Sequence, residues 1–385
     1  MKVLINAISI ETGGGLAVLI RLLSAMSNEE TGAIWYVAAD SKILSQLPKS
    51  DKIVGVPYSW VKKSPLHHFY WYKVELPRLL RKVNADICFS QTNFLPRSKL
   101  SCPTLLLVQH AGYFSERFHQ LFLYWNRKYI NTFIWKQKNK WIRQSINDAT
   151  IVTVQTNALA TIISNELKIQ KEKIVVIPHG PGILKNFVSQ PKPFPTDDVI
   201  RIGYITKLGV QKNFDVAIKA VSLLRDKGLR VKLVLTLDER DFSMSRMLAH
   251  IQSQILQYEV ADMIENHGEV SSIDEIKKLY DSLHLFIFPS LCESFGFTLV
   301  EAMTMGLPVV IADTESNCEV AGVAGESVPA ENAEILADKI YQIINNKALY
   351  ISASEKSIGR SQDFSWDKTG KDMIKIMRQM VKNIE

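Results

Sequence analysis

The sequence predicts an α/β protein made of two doubly wound domains, each a parallel sheet covered by helices on both faces. Three features carry that expectation. Short continuous apolar runs alternate with stretches of helical period along the chain. The alternation stops once, in PHGPGILKNFVSQPKPFPTDD, where Pro178, Pro181, Pro191, Pro193 and Pro195 are incompatible with a central strand or a helix interior. The length, 385 residues, exceeds one ordinary core and suits two domains of about 150–200 residues.

In the first half, KVLINAIS, AIWYVAA, ADICFS, PTLLLVQ, ATIVTVQ and KIVVIP read as strands buried on both faces, with helical stretches such as GLAVLIRLLSAM between them. In the second half the strands are IRIGYI, RVKLVLTL, HLFIFPS and PVVIAD. The helices between them are FDVAIKAVSLLRDKG, IDEIKKLYDSL and FTLVEAMTMG. The tail places Trp366, Met373, Ile374, Met377, Met380, Val381 and Ile384 on one stripe, as a docked amphipathic helix would. The expected division is 1–180, a linker at 181–198, 199–363, and a C-terminal helix over 364–385. Ligands of such sheets bind at strand C-termini, so a cleft between the two domains is the expected site.

Composition excludes several classes. The chain is 46% hydrophobic and 22% charged, and no apolar run approaches the roughly 18–20 residues of a membrane span. MKVLINAISI lacks a small-x-small cleavage site and reads as a first strand. Cys88, Cys102, Cys292 and Cys318 show neither C-x-x-C pairing nor zinc-ligand spacing, which points to a reduced, cytoplasmic setting. The net charge of +7 is uneven. Residues 1–180 hold 23 basic and 11 acidic side chains, a net +12, and the remainder is net −5. A basic half suits an anionic surface, although solubility alone is compatible with it.

Three segments carry chemistry. TGGGLAVLI places Gly13, Gly14 and Gly15 between a strand and a helix. This fits equally a loop whose amides approach an anion and a plain tight turn. GYITKLGVQKN sets Lys207 and Lys212 around Gly209, before a helix start. Two lysines there suit a diphosphate, and two solvated loop lysines are the simpler alternative. PSLCESFGFTLVEAMTMGLPVV places Glu293 in a loop and Glu301 in the helix that follows, with Phe295, Gly296 and Phe297 between. Gly306 and Pro308 close that helix. An unpaired buried carboxylate costs several kcal/mol, so both acids must reach either solvent or a ligand.

This last segment resembles the E-x7-E element of retaining glycosyltransferases of family 4, which have the GT-B fold. GYITKLGVQKN is similar to that family's phosphate loop, VVIPHG to its approach to the linker, TGGG to its N-domain glycine loop, and FSWDKT to the start of its crossing helix. The similarity is strong over 200–330 and weak over 40–170. It implies two Rossmann-like domains facing a cleft, with the C-terminal helix crossing back to the first. Glu301 would hold ribose hydroxyls, and Glu293 would sit beside the donor sugar and leaving phosphate. Backbone of Phe295, Gly296 and Phe297 would hold sugar hydroxyls, and backbone near Val270 the base. Lys212 and Lys207 would neutralise the diphosphate. Gly14 and Gly15 would approach the donor, and His110 would touch its sugar. Thr206 and Lys207 stand where the family usually has Gly and Arg, and His284 where it often has Asp.

The implied reaction is retaining transfer of a hexose from a nucleotide-diphosphate sugar, GDP-mannose or a UDP-sugar, to a saccharide acceptor, lipid-linked and in a surface-polysaccharide pathway. No D-x-D motif occurs, so neither metal nor cofactor is expected. Front-face attack is favoured because no carboxylate stands out as a covalent nucleophile. A sugar-nucleotide epimerase or hydrolase of the same fold, and a non-catalytic partner subunit, are the alternatives. Residues 117–144 hold seven Lys or Arg and no acid, with Phe118, Phe122, Trp125, Tyr129 and Phe133 at helical spacing. WVKKSPLHHFYWYKVELPRLLRKV repeats the mixture. Peripheral contact with an anionic inner membrane surface is therefore expected, and a core-facing aromatic stripe is the alternative. No nucleic-acid motif is present.

Overall fold

The computed structural model describes residues 1–126, 129–182, 190–270 and 272–382. The chain divides into two compact units: Met1–Phe114, Lys128–Gly180 and Ser365–Glu385 form the first, and Ser115–Arg127 with Pro181–Phe364 the second.

The first unit holds β1 (Lys2–Asn6), β2 (Ile34–Ala39), β3 (Ile53–Pro57), β4 (Ile87–Ser90), β5 (Thr104–Leu107), β6 (Ile151–Val154) and β7 (Ile174–Val176). They form one parallel sheet in the order β3-β2-β1-β4-β5-β6-β7. Leu4 pairs with Tyr36 on one side and Cys88 on the other. β4 and β5 are buried throughout, as their largely apolar runs lead one to expect. The helix Trp366–Lys382 belongs to this unit and packs along helix Gly14–Asn28. Met373, Ile374, Met377 and Met380 form its buried stripe. Gly370 permits the approach, because a Cβ there would stand 2.8 Å from that of Ala25. The start of the helix is fixed by Thr369, whose hydroxyl donates to the Pro178 carbonyl at 2.7 Å, and by Trp366, which stacks on His179. Burial pushes the His179 pKa down to about 3, so the ring is neutral.

The second unit holds β8 (Ile200–Tyr204), β9 (Val231–Leu235), β10 (Ile264–Asn266), β11 (Leu285–Phe288), β12 (Val309–Ala312) and β13 (Gly325–Val328). The order is β10-β9-β8-β11-β12-β13, again all parallel. Across β9, Arg201 of β8 binds Glu265 of β10 through two hydrogen bonds of 2.6 and 2.7 Å. These bonds hold the Glu265 carboxyl below its ordinary value of 4.5, with a smaller contribution from His267. A depressed carboxyl stabilises the fold above its unfolded pKa and loses that contribution as pH falls through the folded one. Glu265→Gln is therefore expected to flatten the fall in stability below about pH 4.5, read by chemical denaturation across that range.

Two expectations are corrected. The aromatic stripe 118–133 is not one helix: Glu116–Trp125 ends at Asn126, and a second helix runs Tyr129–Asp148. Arg127 and Lys128 lie outside the described residues. The first of these helices also leaves its expected domain, for Trp125 packs against the core of the second unit. Arg246 fixes it there, its guanidinium over the rings of Tyr124 and Trp125 and its N–H on the Tyr124 carbonyl at 2.7 Å.

Candidate active site

In the second sheet the chain runs outward from β8 through β9 to β10, then returns to β11 on the other side of β8. The C-terminal ends of β8 and β11 thus flank the point where strand order reverses, the position at which such sheets bind ligands. Two loops meet there: residues 205–213 after β8, and 289–296 after β11.

Both loops are tied together by their own backbone. The Leu291 N–H donates to the Gln211 carbonyl at 2.8 Å. The buried Tyr204 hydroxyl donates to the Lys212 carbonyl at 2.5 Å and lies 3.2 Å from Ser290 Oγ. Asn213, left-handed at φ 51°, donates to the carbonyls of Pro289 at 3.3 Å and Ala330 at 2.6 Å. Beneath them Asn317, fully buried, donates to the Ser290 carbonyl at 2.9 Å. These clamps bring Lys212 and Glu293 into an ion pair of 2.5 Å, Nζ to Oε1. Both side chains are largely buried, 14% and 15% exposed, and Nζ stands 5.7 Å from the centre of the Phe288 ring. A pair this shielded is costly to break by removing one partner.

Gly296 begins the helix Phe297–Thr304 in a left-handed conformation, φ 87°. Phe295 is buried against Phe297 and Phe364. Glu301 sits in the second turn and is 2% exposed. Its Oε2 accepts from the Tyr280 hydroxyl at 2.9 Å, and its Oε1 would lie 2.7 Å from a Cβ placed on Gly182. An exposed acid merely complementing the helix dipole is thereby ruled out. Burial raises the Tyr280 pKa well above 10, so this phenol is a donor.

The two expected phosphate lysines differ in partner and exposure. Lys207 is 63% exposed and pairs with Glu269 at 2.6 Å, on the loop after β10 that also carries Val270. Val270 is half-buried against the core of its unit.

Gly14, Gly15 and His110 belong to the first unit, at the C-terminal ends of β1 and β5. Gly13 is left-handed, φ 69°, and nothing lies within 4 Å of a Cβ built on Gly13 or Gly15. The Gly15 carbonyl accepts from Gln91 at 3.3 Å. His110 accepts the Gly112 N–H at Nδ1, 3.1 Å, and packs on Tyr113 and Trp135. Asn6, fully buried beside this loop, accepts from Trp71 and donates to Ser90. Sequence reasoning missed Asn6 and Gln91, together with Tyr204, Asn213, Glu269 and Tyr280. For the first two the available signal was a polar residue closing an apolar strand run, in KVLIN and ICFSQ. No cluster of three or more His, Cys, Asp or Glu placed to hold a metal occurs among the described residues.

Two doubly wound parallel sheets in one chain, shared over nearly the whole length with solved glycosyltransferase structures, make this a GT-B fold. The family model for glycosyl transferases group 1 matches residues 187–360, and that for glycosyltransferase family 4 matches 13–181. The chain belongs to the family-4 type of glycosyltransferases. Among curated proteins it is similar to O-antigen chain mannosyltransferase B of Escherichia coli, 29% identical over 24% of this chain and 25% of that one. It is also similar to the putative glycosyltransferase EpsF of Bacillus subtilis, 22% identical over 49% and 50%. The matched segments thus span a quarter and a half of these relatives. Among solved structures it resembles Anabaena HepE in complex with UDP-glucose, TM-score 0.74 at 18% identity over 98% of this chain and all of that one. Sucrose-phosphate synthase from Thermosynechococcus elongatus gives 0.75 at 14% identity over 99% of both. At such identities the solved structures speak for the fold alone.

Proposed function

We propose that this glycosyltransferase transfers a hexose from a nucleotide-diphosphate sugar to a saccharide acceptor, with retention at the anomeric carbon and without a metal. The observation that carries this is the Lys212–Glu293 pair at the switch point of the second sheet. A diphosphate entering there competes with Glu293 for Lys212. The lysine then neutralises charge on the departing phosphate, aided by backbone amides at the start of helix Phe297–Thr304. Glu293, released, accepts hydrogen bonds from donor-sugar hydroxyls. Glu301, held by Tyr280, receives the ribose hydroxyls. Attack by the acceptor hydroxyl on the face of the leaving group needs no protein nucleophile, and the departing phosphate takes the acceptor proton. Gly14, Gly15 and His110 supply further donor contacts, Val270 marks the loop that reads the base, and Lys207 is an outer phosphate cation.

The donor is GDP-mannose or a UDP-sugar. The first is favoured by likeness to an O-antigen mannosyltransferase, the second by likeness to a protein crystallised with UDP-glucose. The acceptor is a lipid-linked saccharide of a surface-polysaccharide pathway at an anionic cytoplasmic membrane face. Thermal shift with UDP, GDP, ADP and dTDP sugars tests the donor. The cognate donor at a hundred times its Kd is expected to add about 2.7 kcal/mol. No shift with any of them would overturn the reading. Turnover to free nucleotide without a glycoside would favour an epimerase or hydrolase instead.

A further inference from the structure

Residues 65–83 form one helical rod in three pieces: Pro65–Tyr70, a wider π turn Trp71–Glu75, and Leu76–Val83. Pro77 explains the π turn, because it offers no N–H to the Lys73 carbonyl and its ring crowds that group. The backbone widens, and Leu76 N–H donates to the Trp71 carbonyl. One face of the rod is core, with Trp71, Tyr72, Leu76 and Leu80 buried. The other carries Leu66, 78% exposed, Phe69, 57% exposed, Tyr70 and Val74. These four share a stripe at spacings of three and four residues. Single exposed apolar side chains are ordinary, but a contiguous stripe marks a surface that meets something.

Its rim is basic. Lys62 and Lys63 lie in the turn just before the rod, and Lys73 lies on it, with Nζ 5.4 Å over the Phe69 ring. Lys138, on the neighbouring helix, adds its charge to the burial that lowers the pKa of His68. The nearby acids are already engaged: Glu11 pairs with Lys62 at 3.2 Å, and the largely buried Glu75 with Arg78 at 3.6 Å. The stripe expected at 118–133 is divided: Phe118 is buried, Trp125 packs on the core of the second unit, and the exposed Phe133 lies on a separate helix.

We propose that the Leu66–Phe69–Tyr70–Val74 face docks on an anionic lipid surface, the apolar stripe entering below the headgroups while Lys63 and Lys73 meet lipid phosphates. The rod is anchored to the glycine loop after β1. Lys62 donates to the Ile10 carbonyl at 2.7 Å, and Ser9 Oγ lies 3.3 Å from His68 Nε2. A lipid held beneath the rod therefore brings its headgroup to the C-terminal edge of the first sheet. This rests on the reading that the acceptor is lipid-linked, and it names the surface that would receive that lipid.

Flotation of the full chain with phosphatidylcholine vesicles, with and without phosphatidylglycerol, tests it. The protein is expected to float with phosphatidylglycerol at low salt and to be released at high salt. Lys63→Ala and Lys73→Ala should each weaken partition about fivefold. Leu66→Ser with Phe69→Ser should weaken it at least tenfold, to the order set by the apolar area withdrawn from lipid. All these variants change exposed side chains and should keep the wild-type melting profile and donor-induced thermal shift. That control separates a failed membrane surface from a failed donor reading. Equal flotation of the double variant, or none by the wild type, would overturn the proposal. So would a wild-type dimer that does not float and is dissolved by the same double substitution, which would assign the face to a second copy.

Discussion

Lys212→Ala is expected to lower kcat/KM by about 10²–10³-fold, the scale of losing one preorganised charge at a developing oxyanion. The substitution removes the cation proposed to face the leaving diphosphate. It also leaves Glu293 largely buried with no ion-pair partner. That carboxylate would then repel the donor's phosphates, so affinity for the nucleotide sugar should fall together with turnover. Lys207→Ala supplies the contrast. Its ammonium is 63% exposed and already held by Glu269, so a loss of less than about tenfold is expected. Steady-state kinetics of both variants with the donor chosen by thermal shift decide the matter. If Lys212→Ala kept activity within a few-fold of wild type, or if Lys207→Ala cost more, the assignment of the leaving-group cation would be wrong.

Gly306→Ala should be the most destabilising conservative change near the site. Helix Phe297–Thr304 ends in a Schellman turn: the Leu307 N–H donates to the Ala302 carbonyl, and the Gly306 N–H to that of Met303, both at 3.0 Å. Gly306 has φ 71°, and a Cβ there would come within 2.4 Å of the Gln190 carbonyl oxygen. The left-handed conformation costs a side chain about 1–2 kcal/mol, and the clash is with backbone, which cannot swing aside. A loss of about 3 kcal/mol, or roughly 6–12 °C in Tm for a unit of this size, is expected by calorimetry. Gly306→Asn should recover part of the conformational penalty and none of the clash. Equal melting of Gly306→Ala and wild type would mean that the turn is not held as described.

How much of this was legible from the sequence depended on burial. The central strands β1, β4, β5, β8, β11 and β12 were readable because most of their residues are apolar and nearly all are buried. Three edge strands were missed, and each is partly exposed. β3 contains Gly55 and ends at Pro57, β10 is Ile-Glu-Asn, and β13 is Gly-Glu-Ser-Val. An edge strand needs to be apolar on only part of its surface, and so resembles a loop. In the site, Lys212, Glu293 and Glu301 were legible because charges inside apolar segments demand a reason. Their clamps were not. Tyr204, Asn213 and Tyr280 act through hydroxyl and amide bonds to groups 8 to 117 positions away, which no spacing rule encodes. The helix Glu116–Trp125 was assigned to the wrong unit for a related reason. Its amphipathic period states that one face is buried, but not against which core.

The closing helix has a consequence for how the chain is made. Helix Gly14–Asn28 emerges early from the ribosome, yet the surface around Ala25 has its native cover only when Gly370 arrives. That is roughly 350 residues later, or about 20–70 s at ordinary rates of synthesis. The first unit is therefore completed last, after all of the second. During that interval an apolar face of helix Gly14–Asn28 stands open on a unit whose sheet already ends at Val176, where a chaperone or a premature contact with another nascent chain can reach it. Synonymous changes that slow translation of the second unit should lower the soluble yield while leaving the stability of the finished protein unchanged.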